Sequence, residues 1–160
     1  AIRFVIDTNV IGTVYLVHKI GRDMRIQGEG RILITGSIAG FVPGSYQAAY
    51  SGTKAFLDSF SYALREELRD SGVSVTCLMP GATETEFFRR ADMLDTKVGV
   101  QKKSRSAEVA KDGFKAMMDG GGGVVSGWQN KIQIAAAYVM PAETLAKHHT
   151  KRTAPGSAKK

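Results

Sequence analysis

The sequence has little of what marks secreted, fibrous or membrane proteins. Its 160 residues contain one cysteine, Cys77, so no internal disulfide can form, and we expect a reducing, cytoplasmic environment. Four prolines and no Gly-X-Y repeat exclude a fibrous chain, and no apolar run approaches the ~20 residues of a membrane span. Because 43% of the residues are apolar, the sequence predicts a packed core and no membrane partner.

Acidic residues become scarce toward the carboxyl end. Residues 1–100 hold 11 Lys and Arg against 11 Asp and Glu, whereas residues 101–160 hold 11 against 4, which accounts for the net charge of +7. A nucleic-acid surface needs its cations on one rigid face, so this distribution argues against a nucleic-acid partner. We expect a single folded unit over 1–149 and a basic, disordered tail over 150–160.

Residues that bind metal ions are also too dispersed to suggest a site. The three histidines are His18, His148 and His149, and none has a second ligand group at a metal-binding spacing. Cys77 lies in a strongly apolar run and is interpreted as a core residue. The sequence therefore predicts no bound metal.

Helical and strand patterns alternate along the chain. The predicted elements are a helix from about Ile2 to Met24, a strand over 31–36, a helix over 48–70, a strand over 73–79, a loop with one short helix over 82–99, a helix over 106–119 and a strand at 124–125. The first helix is apolar on all sides and the first two strands are almost wholly apolar, so all three are expected to be buried. This order predicts an α/β fold with a parallel sheet and right-handed crossovers, whose strands end at one shared edge.

Three polar residues are expected to meet at that edge. Ser37 follows the first strand, and Tyr50 and Lys54 lie one turn apart on the next helix. A lysine cation favours the phenolate and lowers the tyrosine pKa from ~10, so Tyr50 can exchange a proton with a carbonyl oxygen that Ser37 holds. The same Tyr-x-x-x-Lys spacing occurs at Tyr15 and Lys19, but no strand-end serine precedes that pair, and we interpret it as packing.

These residues resemble the classical short-chain dehydrogenase/reductases. The motifs that carry the resemblance are Gly36-Ser37-Ile38-Ala39-Gly40, Tyr50-Ser51-Gly52-Thr53-Lys54, Pro80-Gly81-Ala82-Thr83-Glu84-Thr85 and Asn9, within roughly residues 5–127. The resemblance implies a Rossmann-like, doubly wound parallel sheet of which this chain supplies the second half. It also implies hydride transfer between NAD or NADP and a carbonyl or secondary alcohol.

The family's catalytic roles can be carried over residue by residue. Tyr50 would be the general acid/base, and Lys54 would lower its pKa and bind the nicotinamide ribose. Ser37 would hold the substrate carbonyl, and Asn9 would kink its helix and hold a water in the proton relay. Each residue also has a structural interpretation that needs no catalytic role. Asn9 can be a polar residue on a helix surface, Ser37 can end the first strand, and Tyr50 can be a packed aromatic residue.

A second segment is expected to contact the cofactor. By the same resemblance, the chain after Pro80-Gly81 would meet the nicotinamide carboxamide through the Thr83 backbone and the Thr85 hydroxyl. Capping of the next helix by either threonine explains both residues without a cofactor. Both interpretations stay open at this point.

The family's phosphate-binding fingerprint, Thr-Gly-x-x-x-Gly-x-Gly, is missing. Its nearest match begins at Thr35, lacks the last glycine and already contains Ser37. The sequence also opens at Ala1 without a methionine. We therefore expect these residues to belong to a longer enzyme. The alternative is a truncated, inactive half-domain that acts as an oligomerisation or binding scaffold.

The resemblance also implies partners. In the family the first and the tyrosine-bearing helices pack against a second subunit, so a homo-oligomer, dimer or tetramer, is expected. Phe41, Phe87 and Phe88 near the sheet edge suggest a partly hydrophobic substrate. The apolar stretch after Trp128 is interpreted as packing, with a pocket wall, a partner surface or an interfacial helix as alternatives.

Overall fold

The computed structural model describes residues 2–159 as a parallel α/β arrangement. The strands are β1 (Gly30–Thr35), β2 (Val73–Met79) and β3 (Gly123–Val125). The helices are α1 (Ile2–Ile6), α2 (Thr13–Gln27), α3 (Ala48–Glu67), α4 (Phe87–Arg90), α5 (Lys97–Val100), α6 (Ser106–Met118), α7 (Trp128–Val139) and α8 (Ala142–Thr153). A π-helical segment, Asp7–Gly12, joins α1 to α2, and 3₁₀ turns lie at Ile38–Phe41, Arg69–Ser71 and Ser157–Lys159.

The sheet has the strand order β1-β2-β3, with both pairs parallel. Thr35 at the end of β1 lies opposite Leu78, so β1 and β2 finish side by side. The backbone N–H of Ile38 then donates to the carbonyl of Pro80 at 3.1 Å. The predicted parallel sheet is confirmed, and the two strand ends share one edge as expected.

Helices pack on both faces of the central strand. Val73 and Val75 of β2 belong to a buried cluster with Leu57 of α3, and Val17 of α2 packs against it. Leu78 points to the opposite face, where a Cβ on Gly113 of α6 would overlap its side chain. Because alternate residues of a strand face opposite sides, β2 packs against α3 and α2 on one face and against α6 on the other.

The first helix and β1 are less buried than predicted. Gly21 is the one buried residue of α2, whereas Phe4 is 73% and Ile11 60% exposed. In β1 Ile34 alone is fully buried, because β1 forms an edge of the sheet within residues 2–159. Both elements are apolar, as the sequence shows, but residues 2–159 leave much of that apolar surface uncovered.

The carboxyl end differs from the expected disordered tail. Within residues 150–159, α8 continues to Thr153 and a 3₁₀ turn follows it. Thr153 and Ser157 are buried, and the Thr153 hydroxyl donates to the carbonyl of Ser45 at 3.0 Å. Basic residues are favourable in the last turn of a helix, so the charge of this segment is compatible with α8. Ala1 and Lys160 lie outside the described residues.

The loop over 82–99 carries two short helices, α4 and α5, where one was predicted. The side chain of Thr96 caps α5 by accepting from the N–H of Gly99, and Phe88 of α4 is buried.

Among residues 2–159, no helix combines the length and apolar character needed to cross a bilayer.

Candidate functional site

Ser37 is held in a tight turn at the end of β1. It caps the following 3₁₀ turn, because its Oγ accepts from the N–H of Ala39 at 3.1 Å. The same hydroxyl lies 3.4 Å from the Pro80 carbonyl, to which it donates. Ser37 is 7% exposed, so its hydroxyl has a defined position between the ends of β1 and β2.

Tyr50 and Lys54 lie one turn apart near the start of α3. The Tyr50 ring packs against Phe87 with 5.1 Å between centroids. Lys54 Nζ lies 5.8 Å from the centroid of the Tyr50 ring and donates to the Thr35 carbonyl at 2.8 Å. The helix and the end of β1 therefore bring Ser37, Tyr50 and Lys54 to one edge, as the sequence predicts.

The electrostatics of this group differ from the prediction. Burial raises the pKa of Tyr50 above its usual value, and the Ser37 hydroxyl, which approaches the phenol, opposes that rise. Burial likewise lowers the pKa of Lys54, against the attraction of Asp58. The expectation that Lys54 lowers the Tyr50 pKa is thus wrong for the net shift, because desolvation exceeds the favourable contacts. Tyr50 is a protonated phenol at neutral pH and is suited to donate a proton.

Asn9 joins the site through a neighbour of Tyr50. Its side-chain amide donates to Thr53 Oγ1 at 2.9 Å, and that hydroxyl donates to the Tyr50 carbonyl at 2.7 Å. Asn9 lies in the π-helical segment, where the irregular hydrogen bonding displaces the side chains from their usual helical positions. It also lines a groove of about 500 Å³ together with Thr35 and Lys54.

The end of β2 supplies the other predicted cofactor segment. Pro80 and Gly81 follow β2, and a Cβ on Gly81 would overlap the side-chain amide of Asn130. The Thr83 hydroxyl donates to the Gly81 carbonyl at 3.0 Å, and Thr83 pairs with Ser104 in a parallel bridge. Thr85 Oγ1 accepts from the N–H of Phe87 at 3.3 Å in the turn that precedes α4, and Thr85 is exposed. The N-cap residue of α4 is Glu86, which makes no side-chain cap bond.

Sequence reasoning missed one residue of the site, Asp58. It lies one turn after Lys54 on α3, and its Oδ1 accepts from the Ser37 N–H at 3.2 Å. The Cys77 thiol lies 3.5 Å from the same oxygen and donates to it. Burial raises the Asp58 pKa to about 6 and that of Cys77 to about 11. A carboxyl group on the buried side of an amphipathic helix, next to Leu57, was the signal that could have revealed it.

The turn after β1 does not fit a phosphate-binding loop. A Cβ on Gly36 would overlap Asp58 Oδ1, and one on Gly40 would overlap Asp58 Oδ2. These glycines therefore make room for a carboxyl group, and a carboxyl group there disfavours an anion. By contrast, the Lys54 ammonium group lies at the end of β1, and the Thr83 and Thr85 hydroxyls lie in the segment that follows β2, so these polar groups near the strand ends are one cation and two hydroxyls.

No group of three or more His, Cys, Asp or Glu side chains is arranged to hold a metal ion within residues 2–159. Cys77 is fully buried in β2, as its apolar surroundings predict. The site consists instead of hydroxyl, ammonium and carboxyl groups. Such groups can bind, orient and protonate an organic ligand.

The parallel sheet with helices on both faces, and the polar edge at its strand ends, define a Rossmann-like α/β protein. The structure is similar to that of a short chain dehydrogenase from Burkholderia cenocepacia in complex with NADP, with a TM-score of 0.76 and 22% identity. The similarity covers 92% of this chain and 60% of that one, and it establishes the Rossmann-like fold.

The family model for short chain dehydrogenase matches residues 1–94, which is more than half of the sequence. The chain belongs to the short-chain dehydrogenase family. It is 46% identical to sulfoacetaldehyde reductase of Chromohalobacter salexigens over 83 residues, 51% of this chain and 33% of that protein. It is 39% identical to serine 3-dehydrogenase of Rhizobium radiobacter over 82 residues, 51% of this chain and 32% of that protein. The chain spans a third to just under half of the curated relatives it matches.

Proposed function

We propose that this chain carries the proton-transfer part of an NAD(P)-dependent oxidoreductase that interconverts a carbonyl and a secondary alcohol. One observation supports this most strongly: the Ser37 hydroxyl lies between the ends of β1 and β2, and Lys54, whose Nζ lies 5.8 Å from the centroid of the Tyr50 ring, donates to the Thr35 carbonyl at the end of β1 at 2.8 Å. Two neighbouring hydroxyl donors are what a carbonyl oxygen needs as it gains negative charge.

Tyr50 is proposed as the general acid/base. In reduction it donates its phenolic proton to the carbonyl oxygen as the C=O π bond opens and a hydride adds to the carbon. The resulting phenolate is stabilised by the Lys54 ammonium group, whose Nζ lies near the ring. Ser37 holds the same oxygen by a hydrogen bond, and the fixed positions of both donors reduce the entropy lost on reaching the transition state.

A nicotinamide cofactor supplies or accepts the hydride when it is bound. Lys54 and Tyr50 are the proposed contacts for its ribose, and Pro80, Gly81, Thr83 and Thr85 are the proposed contacts for its carboxamide end. The exposed proton of the Thr85 hydroxyl is suited to that contact. The similar structure from Burkholderia cenocepacia is described with NADP, which supports a dinucleotide of this class but leaves NAD and NADP as alternatives.

The substrate is proposed to be a small carbonyl compound or its alcohol. Relatives named as a sulfoacetaldehyde reductase and a serine 3-dehydrogenase support the reaction class. Phe87 packs directly on Tyr50, which supports an aromatic wall beside the reacting oxygen. Phe88 is buried behind Phe87, and Phe41 packs on Tyr138, so Phe87 is the one most directly placed to contact substrate.

The proposal is tested on protein made from the complete reading frame that encodes these residues. NADH and NADPH are titrated by fluorescence, and turnover is measured against aldehydes and ketones that range from charged to apolar. We expect cofactor binding and turnover of at least one carbonyl class. Binding without turnover of any carbonyl or alcohol would favour the inactive scaffold instead.

We also propose that the protein is a homo-oligomer through α1, α2 and α3. Phe4, Ile11 and Leu16, in α1, the π-helical segment and α2, are exposed, and Phe56 of α3 is exposed as well. Exposed apolar side chains in such number are typical of an interaction surface. Light scattering is expected to give a dimer or tetramer that Ile11→Glu dissociates. A monomer at every concentration would contradict this. A cytoplasmic location stays a prediction.

A further inference from the structure

Two polar contacts join α3 to the chain that leaves β1. Lys54 Nζ donates to the Thr35 carbonyl at 2.8 Å, and Asp58 Oδ1 accepts from the Ser37 N–H at 3.2 Å. The first is on the exposed side of the site and the second is buried. The two contacts bracket Gly36, so the position of Ser37 relative to Tyr50 depends on them.

Asp58 is an unusual residue for a buried position. It is 6% exposed, and its second carboxylate oxygen, Oδ2, has no hydrogen-bond partner among the described residues. The chain accommodates this group through two glycines, because a Cβ on Gly36 or Gly40 would overlap its oxygens. A buried carboxyl group with one oxygen unpaired does not favour folding, so a packing role explains it poorly.

We propose that Asp58 is a positioning residue: its carboxylate fastens the turn that carries Ser37 to the helix that carries Tyr50 and Lys54, and thereby sets the spacing of the two hydroxyl donors. This inference rests on the proposed function of Ser37 and Tyr50. Oδ1 accepts from the backbone N–H of Ser37 and does not engage the Ser37 hydroxyl. Asp58 is not expected to contact the substrate itself.

The groups that face Asp58 determine how it responds to pH. Lys54 and Tyr62 share α3 with it, Cys77 faces it from β2 and Tyr50 lies two turns earlier on α3. Burial raises the Asp58 pKa to about 6, so the carboxylate is present above that pH and is lost below it. Loss of the charge weakens the bond from the Ser37 N–H, because hydrogen bonds to ionised acceptors are the stronger ones. The contact between turn and helix should therefore loosen as the pH falls through about 6.

The first test requires no activity. The chemical shift of the Ser37 amide proton is followed by NMR as the pH changes in wild-type protein and in Asp58→Asn. We expect a titration with a midpoint near 6 in the wild type and none in the variant. An amide that titrates equally in both proteins, or in neither, would overturn the inferred contact, whether or not the protein is an oxidoreductase.

The second test measures turnover. Asp58→Asn keeps an acceptor oxygen but no charge, so its kcat should equal the wild-type value at low pH and stay flat across pH 6, with KM for cofactor unchanged. Asp58→Ala removes the acceptor and should lower kcat about tenfold or more, because the Ser37 hydroxyl and the Tyr50 phenol are no longer held at a fixed separation. Asp95→Asn is the matched control, since Asp95 accepts from the Gly156 N–H at 2.6 Å but is exposed and outside the site.

Recovery of activity by Asn relative to Ala distinguishes positioning from packing. If Asp58→Ala does not fold, the amide titration and the pH profile of Asp58→Asn still decide the matter. An Asp58→Asn enzyme with the wild-type pH profile would overturn the proposal. So would a kcat of Asp58→Ala equal to that of Asp95→Asn.

Discussion

Two Tyr-x-x-x-Lys pairs occur in this chain, and their local geometry is the same. Lys19 Nζ lies 5.8 Å from the centroid of the Tyr15 ring, and Lys54 Nζ lies 5.8 Å from that of Tyr50. Tyr15 is 59% exposed, whereas Tyr50 packs on Phe87 and its pKa is raised by burial. Helical spacing alone therefore produces the pair, and the surrounding structure produces the perturbed ionisation.

The difference between the pairs comes from the sheet edge. Tyr50 lies beside Ser37 at the end of β1, and the carboxyl group of Asp58 holds that turn against α3. Tyr15 lies on α2, whose apolar side chains are largely exposed within residues 2–159. The two pairs therefore differ in their surroundings. At Tyr50 the end of β1 places the Ser37 hydroxyl nearby and packing removes the phenol from water, whereas Tyr15 is exposed to solvent.

Loss of the phenol should separate the two pairs most strongly. Tyr50→Phe removes the proposed proton donor and is expected to lower kcat by about 10²- to 10⁴-fold, with cofactor affinity retained. Tyr15→Phe is the matched control and should leave kcat unchanged. Steady-state kinetics and cofactor fluorescence measure both. Equal effects of the two substitutions would remove the distinction between the pairs.

Loss of the strand-end hydroxyl should have the next largest effect. Ser37→Ala removes one of the two proposed donors to the carbonyl oxygen and is expected to lower kcat by about 10²- to 10³-fold. The turn also loses its cap to the Ala39 N–H, so circular dichroism should accompany the kinetics. Ser59→Ala, at an exposed position of α3, is the control. A Ser37→Ala enzyme with full activity would show that the Ser37 hydroxyl is not needed at the carbonyl oxygen and would contradict its proposed role.

Loss of the ammonium group should affect one pair and not the other. Lys54→Met removes the cation proposed to stabilise the Tyr50 phenolate. One pKa unit at Tyr50 corresponds to about 1.4 kcal/mol between its two protonation states, and part of that difference appears in the barrier to proton transfer. We expect kcat to fall on the order of tenfold and KM for cofactor to rise. Lys19→Met should change neither. A rise in cofactor KM without any change in kcat would restrict Lys54 to binding.

The smallest expected effect is on stability. Thr53→Val breaks the hydrogen bonds from Asn9 and to the Tyr50 carbonyl, and should lower the free energy of unfolding by about 1 to 2 kcal/mol. Urea denaturation measures the change. The control is Thr150→Val, because the Thr150 hydroxyl bonds only a carbonyl of its own helix and should matter less. An equal loss in both variants would show that the contact from Asn9 adds nothing.

Most of the fold followed from local sequence signals. The bounds of β2 were predicted correctly, since an apolar run of β-branched residues is bounded by Gly72, which adopts a positive φ of 75°, and by Pro80. The amphipathic pattern of α3 placed Tyr50 and Lys54 correctly because helical periodicity is a local property. Burial of the first helix was predicted wrongly because exposure depends on which other elements are present.

The electrostatics of the site could not be predicted from spacing. The direction of the Tyr50 shift depends on how far the phenol is removed from water, which only the packing of Phe87 and the turn after β1 decides. Asp58 was missed for a related reason. A carboxyl group among apolar positions is detectable in sequence, but its contact with the Ser37 N–H is formed between segments far apart in the chain.

The central claim is that Tyr50 protonates an oxygen whose carbon receives a hydride. The most direct measurement uses a reduced nicotinamide cofactor deuterated at its transferable position, a reactive carbonyl and mass spectrometry of the alcohol. We predict one deuterium on the alcohol carbon with the wild-type protein and formation of that product about 10²- to 10⁴-fold more slowly with Tyr50→Phe, which still binds the cofactor. Deuterium transfer by Tyr50→Phe at the wild-type rate would contradict the account.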